Sequence, residues 1–167
     1  LDARLVALDA DSGALCRDFG DGGFVDLSEG IGDRKPGEYG VTSPPLVIGS
    51  RVVTGAMVLD NRRVDSPGGV VRAWHARSGR KLWAWDPVPP GESPPADGYR
   101  RGTTNAWTPL AADPALGLVY VPTGNTSPDY YGGLRSGTDG FASAVVALRA
   151  ATGEVVWHFQ TVHHDLW

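Results

Sequence analysis

Apolar positions along this chain come in short runs of two to five residues, broken by glycine, proline and acidic residues. No stretch repeats its apolar residues at the 3.6-residue period of an amphipathic helix. Several runs have the branched and aromatic character of strands: residues 45–48, 51–54, 82–85, 118–121 and 155–157. One phrase recurs beside them. Ala7-Leu8-Asp9-Ala10-Asp11-Ser12-Gly13 returns as Ala73-Trp74-His75-Ala76-Arg77-Ser78-Gly79, and again as Ala147-Leu148-Arg149-Ala150-Ala151-Thr152-Gly153. Each copy follows an apolar pair, and the second and third lead into Leu82-Trp83-Ala84-Trp85 and Val155-Val156-Trp157. The pattern predicts strand, tight turn with glycine at positive φ, then strand. A recurring supersecondary unit is the mark of a repeat architecture.

Two more hairpins lie between the copies. Residues 45–48 and 51–54 flank Gly49-Ser50, and residues 107–110 and 118–121 flank a turn at Asp113-Pro114. About four short strands per unit is the content of one β-propeller blade. The expected fold is therefore all-β, about two and a half four-stranded blades. Residues 1–40 close one blade and enter a loop, 41–104 form a blade and its loop, 105–160 form the next, and 161–167 start another. So few blades leave apolar faces and strand edges uncovered, which points to a fragment of a larger ring.

Composition narrows the class. The chain has 23 glycines and 13 prolines in 167 residues, as expected of a turn-rich β protein. A net charge of −4 without a Lys/Arg cluster argues against nucleic acid as a partner. No apolar run reaches the ~18 residues of a membrane span. The single cysteine, Cys16, has no partner for a disulfide or a zinc site, and reads as a small buried hydrophobe in the strand after the first turn. Long loops at 20–40, 86–104 and 127–140 suit a scaffold that displays them around a site.

Certain residues in and near those loops carry candidate chemistry. Asp60-Asn61 and Asn125 follow strands of adjacent blades, so hard oxygen ligands could converge there. Asp-Asn and Gly-Asn are equally ordinary turn dipeptides. Trp107 offers a large flat face, and is otherwise one more blade-packing tryptophan, as Trp83 and Trp157 are expected to be. His163 and His164 are adjacent on an extended chain and point to opposite sides, which disfavours joint chelation.

The phrases Thr42-Ser43-Pro44-Pro45, Asp60-Asn61, Asn105-Ala106-Trp107, Thr123-Gly124-Asn125-Thr126-Ser127-Pro128-Asp129-Tyr130-Tyr131-Gly132-Gly133 and Gln160-Thr161-Val162-His163-His164-Asp165-Leu166-Trp167 occur in this order. With them the chain resembles the pyrroloquinoline quinone (PQQ) dependent dehydrogenases, above all their membrane-bound glucose/quinate/shikimate branch. That resemblance implies an eight-bladed propeller with PQQ on its axis. It implies that Trp107 stacks on the quinone, that Thr42, Ser127 and Asn61 touch the cofactor, and that Asp60, Asn61 and Asn125 place Ca²⁺ or Mg²⁺. A general-base aspartate is expected directly after Trp167, with His164 and Asp165 helping to position it. Implied partners are a sugar or polyol substrate and ubiquinone, at the periplasmic side of the bacterial inner membrane, with membrane contact through regions outside this chain. A non-catalytic scaffold of the same ancestry and an inactive truncated product are the alternatives. The first repeat departs from the others in holding Arg17 where they hold Trp83 and Trp157.

Overall fold

The computed structural model describes residues 3–63, 66–87, 104–134 and 140–166. Twelve strands are defined among them: β1 (Arg4–Val6), β2 (Phe24–Asp26), β3 (Tyr39–Gly40), β4 (Leu46–Ile48), β5 (Arg51–Thr54), β6 (Met57–Val58), β7 (Val71–His75), β8 (Lys81–Trp85), β9 (Ala111–Asp113), β10 (Leu118–Pro122), β11 (Ala144–Arg149) and β12 (Val155–Gln160). The one helical element among the described residues is a 3₁₀ turn at Gly132–Leu134. None is long and apolar enough to cross a membrane. Two antiparallel four-stranded sheets, β4-β5-β7-β8 and β9-β10-β11-β12, are the two blades. The pairs β1-β2 and β3-β6 accompany them.

The repeated phrase makes the same turn three times. Gly13, Gly79 and Gly153 take φ of 70°, 67° and 77°, and each amide donates to the carbonyl four residues earlier at 2.8 Å. Both full blades also slip register at the same place in the phrase, between Ala73 and Trp74 and between Ala147 and Leu148. A shared bulge re-aims the outer strand in each blade.

Blades are held face to face. Val53, Val71, Ala73, Trp83 and Trp85 of one blade pack with Val119, Val121, Val146, Leu148 and Ala150 of the next. Trp83 supplies the specific contact: its ring lies over the turn of the third copy, and Nε1 donates to Ala150 O at 2.9 Å. A Cβ on Gly153 would sit 2.7 Å from that ring, so only glycine leaves room. On the opposite face of β7, Trp74 joins Leu27, Ile31, Tyr39 and Val58 in a second cluster. Arg72 is buried on that face, with its guanidinium donating to Leu27 O at 3.0 Å and Glu29 O at 2.8 Å. Burial of that cation is tolerable because the carbonyls satisfy it. Tyr39, which donates to Leu27 O at 2.8 Å, has its phenol pKa pushed up by burial.

Three expectations are corrected. After the first turn no second strand forms: β1 pairs with β2, and only a Leu8–Leu15 bridge links the arms of the turn. Residues 14–18 lack a branched or aromatic run and include charged Arg17 and Asp18, so nothing drives a ladder there. Cys16 accordingly lies outside any strand and is exposed, not buried. Trp107 precedes its strand instead of opening it, since β9 begins at Ala111. Pro109 has no amide to give a ladder, and Ala106 is drawn aside into a bridge with Ala56. Most of the loop 86–104, and Trp167, lie outside the described residues.

Candidate cofactor and cation site

Where β6, β10 and β11 end or begin on one side of the blades, a cleft of about 610 Å³ opens. Asp60 and Asn61 follow β6, Thr123, Gly124 and Asn125 follow β10, and Ser143 leads into β11, which opens with Ala144 and Val145. All of them line the cleft, together with Trp107, Asp129, Tyr130 and Asp165. Four sequence-predicted residues, Asp60, Asn61, Trp107 and Asn125, are thus brought together from positions far apart in the chain.

Trp107 is held by its backbone while its ring stays open. Gly55 makes this possible: a Cβ there would sit 2.2 Å from Ala106 O, so a side chain would push the tryptophan segment off β5 and β6. Ala56 N donates to that carbonyl at 3.1 Å, and Thr42 Oγ1 donates to Trp107 O at 2.8 Å. The side chain remains 52% exposed, unlike Trp83 at 8%. Packing therefore does not account for its place, and a flat apolar face is left for a ligand.

Asp60 is half-buried, and its burial pushes the carboxyl pKa up. The charge of Asp129 adds to the shift, and Asn105 Nδ2, donating to Asp60 Oδ2 at 2.9 Å, opposes it. Asn105 and Asp129 are buried, and among the described residues Oδ1 of each has no hydrogen-bond partner. Asp129 lines the cleft and Asn105 does not, so the orphaned oxygen at the cleft wall is that of Asp129, and with the desolvated Asp60 carboxylate it forms an acceptor-rich environment that a cation would complete. Among the described residues no cluster of three or more His, Cys, Asp or Glu could hold a metal. The donors present are mixed carboxylate and amide oxygens, which suit a hard ion whose shell is completed by a ligand's own oxygens.

Two predicted contacts stand elsewhere. Thr42 is exposed, does not line the cleft, and spends its hydroxyl on Trp107 O. Ser127 is fully buried, its Oγ 3.0 Å from Asp60 O and 2.8 Å from both Arg63 O and Ser66 Oγ. Its hydroxyl ties down the Asp60 turn and does not face the cleft. That turn has a second brace in Glu38 and Arg63, paired through Nη2–Oε2 at 2.7 Å and Nε–Oε1 at 3.2 Å. Arg63, then the Lys35 amide, holds the Glu38 carboxyl below its ordinary pKa. Glu38, Arg63 and Ser143 were not singled out in the sequence, and Asn105 entered only as part of the phrase Asn105-Ala106-Trp107, with no role of its own. No local periodicity links residues that meet from 18 to 45 positions apart.

Residues 1–167 match the family described as "PQQ: Glucose/ethanol/alcohol dehydrogenase, beta-propeller domain". The chain belongs to that family. It is 49% identical to the glycerol dehydrogenase large subunit of Gluconobacter oxydans, over 100% of this chain and 23% of that protein. Identity is 41% to the quinate/shikimate dehydrogenase (quinone) of Acinetobacter baylyi, over 100% of this chain and 21% of the relative. For the quinoprotein glucose dehydrogenase of Escherichia coli it is 40%, over 99% and 21%. The chain therefore spans less than a quarter of the length of these relatives. Among solved structures, the quinohemoprotein alcohol dehydrogenase of Comamonas testosteroni superposes with a TM-score of 0.76 at 26% identity, over 99% of this chain and 26% of that one. A quinohemoprotein alcohol dehydrogenase of Pseudomonas putida gives 0.74 at 30%, over 100% and 25%. The propeller architecture expected from the repeats is the architecture of these structures.

Proposed function

We propose that this chain supplies part of the active-site wall of a PQQ-dependent dehydrogenase that oxidises a sugar or polyol. It would be one segment of an eight-bladed ring, of which it carries about two and a half blades. In this reading Trp107 is the platform for the flat quinone, and Asp60, Asn61 and Asn125 hold Ca²⁺ or Mg²⁺ with help from the cofactor's own oxygens. Bound PQQ supplies the hydride acceptor. Asn105 keeps the Asp60 carboxylate oriented, while the Ser127 hydroxyl and the Glu38–Arg63 pair fix the turn that carries it. The substrate's hydroxyl proton would pass to an aspartate directly after Trp167. Electrons would go on to ubiquinone at the periplasmic side of the inner membrane. The base draws on the resemblance of the closing phrase at 160–167, and the acceptor on the likeness to a relative named as quinone-linked.

One observation carries the reading: an exposed indole face and a set of carboxylate and amide oxygens, among them the buried Asp129 Oδ1 that has no hydrogen-bond partner among the described residues, adjoin a single cleft. The test is reconstitution of the full-length apoprotein. Asp60→Ala and Asn61→Ala should each raise the Ca²⁺ or Mg²⁺ concentration needed for half-maximal activity with PQQ by about 10-fold or more. An unchanged requirement in both would remove them from the cation site.

A further inference from the structure

Ser143 stands out on two counts. Its backbone has a φ of 46°, a left-handed conformation that strains a residue with a side chain. Three hydrogen bonds enforce it: Ser143 N donates to Gly124 O at 3.0 Å, and Thr161 N and Oγ1 donate to Ser143 O at 2.8 and 2.6 Å. The side chain so held bridges the cleft wall, with Oγ 2.8 Å from Asn125 Oδ1 and 3.0 Å from Asp165 Oδ2.

A serine hydroxyl has one proton, and both neighbours are acceptors. With the hydroxyl donating to Asn125 Oδ1, the amide oxygen is engaged by the serine and is a poor ligand for anything in the cleft. With the hydroxyl donating to the Asp165 carboxylate, the hydrogen bond is charge-assisted and roughly twice as strong as a neutral one. Ser143 Oγ then has lone pairs to accept from Asn125, which a half-turn of the Asn125 amide satisfies by presenting Nδ2. That rotation leaves Asn125 Oδ1 free for the cleft.

We propose that Ser143 is a positioning residue that sets the Asn125 amide, donating its hydroxyl hydrogen bond to Asp165 so that the Asn125 oxygen is free for a cation. This rests on the cation-site reading given under Proposed function. It extends that reading to a residue without direct contact to the ion, and accounts for the strained backbone as the means of aiming one hydroxyl at two partners.

The experiment is equilibrium dialysis of ⁴⁵Ca²⁺ against the full-length apoprotein with PQQ held constant, which reads ion binding and not turnover. Ser143→Ala keeps the Cβ and the backbone conformation while removing the hydroxyl. Ser143→Gly removes the hydroxyl and relieves the strain, which guards against loss through misfolding. Both should weaken Ca²⁺ binding about 10-fold, the size typical of outer-shell ligand partners, even where Ser143→Gly raises the thermal midpoint. Asp165→Asn should weaken it too, because a neutral amide lacks the charge that draws the serine hydroxyl away from Asn125. Asp60→Ala and Asn125→Ala serve as site controls. If they weaken binding while both Ser143 variants stay within twofold of wild type, the role of Ser143 is overturned and the cation site stands. If neither control changes binding, the cation-site reading fails and this inference with it.

Discussion

At the scale of single residues, Asp60 carries a conflict between folding and function. Burial and the nearby Asp129 raise its carboxyl pKa, so the ionised form is disfavoured in the fold. The sign follows: the penalty is full above the folded-state pKa and absent below the ordinary carboxylate value, so it is present at neutral pH. Asp60→Asn keeps an acceptor for Asn105 and removes the charge. In the full-length, cation-free protein it should raise the thermal midpoint at pH 7. That gain should shrink as pH falls into the ordinary carboxylate range, and added Ca²⁺ should no longer stabilise the variant. A lower midpoint at pH 7 would mean that burial of Asp60 is not the dominant effect. Asp60, Asn61, Trp107 and Asn125 were legible because each sits in a short phrase beside a strand end. Ser143 and the Glu38–Arg63 brace were not, nor was the role of Asn105 within its phrase, because loop polar residues reveal a role only when the fold supplies partners from distant segments.

Elements repeat the lesson in another form. The turn of the repeated phrase is local, so its residues fix it: glycine at positive φ, the same amide-to-carbonyl closure, and in the two full blades the same bulge. The strand after the first turn needed more than a turn, and without a branched or aromatic run it does not form. At the first blade contact Arg17 replaces the tryptophan, and the backbone takes over, with Gly20 N donating to Ser78 O at 3.0 Å. These differences give a matched pair of substitutions. A Cβ on Gly13 meets open space, so Gly13→Ala should cost only the left-handed penalty of about 1–2 kcal/mol. Gly153→Ala adds a clash with the Trp83 ring and should cost about 1–3 kcal/mol more, read by denaturant unfolding of the full-length protein. Equal losses would show that Trp83 does not depend on the Gly153 turn for its seat.

For the whole molecule, the outer face of β12 is the main indicator of context. Trp157 and Phe159 are 43% and 67% exposed, beside exposed Val155 and Val156. Contiguous apolar surface of this kind marks an interface, and the Trp83 contact shows how a neighbouring blade covers such a tryptophan. The 167 residues alone should accordingly show no sugar or polyol oxidation with PQQ and a dye acceptor; measurable turnover would contradict the reading of the chain as one part of a larger ring. Calorimetric titration of PQQ into the full-length apoprotein with saturating Ca²⁺ tests the proposal that the cleft holds PQQ against Trp107. Because the Trp107 ring is exposed and its backbone does the anchoring, Trp107→Ala should weaken PQQ binding by at least 10-fold while the thermal midpoint of the apoprotein moves by no more than about 2 °C. Unchanged PQQ affinity, or a loss of stability in step with the loss of binding, would contradict it.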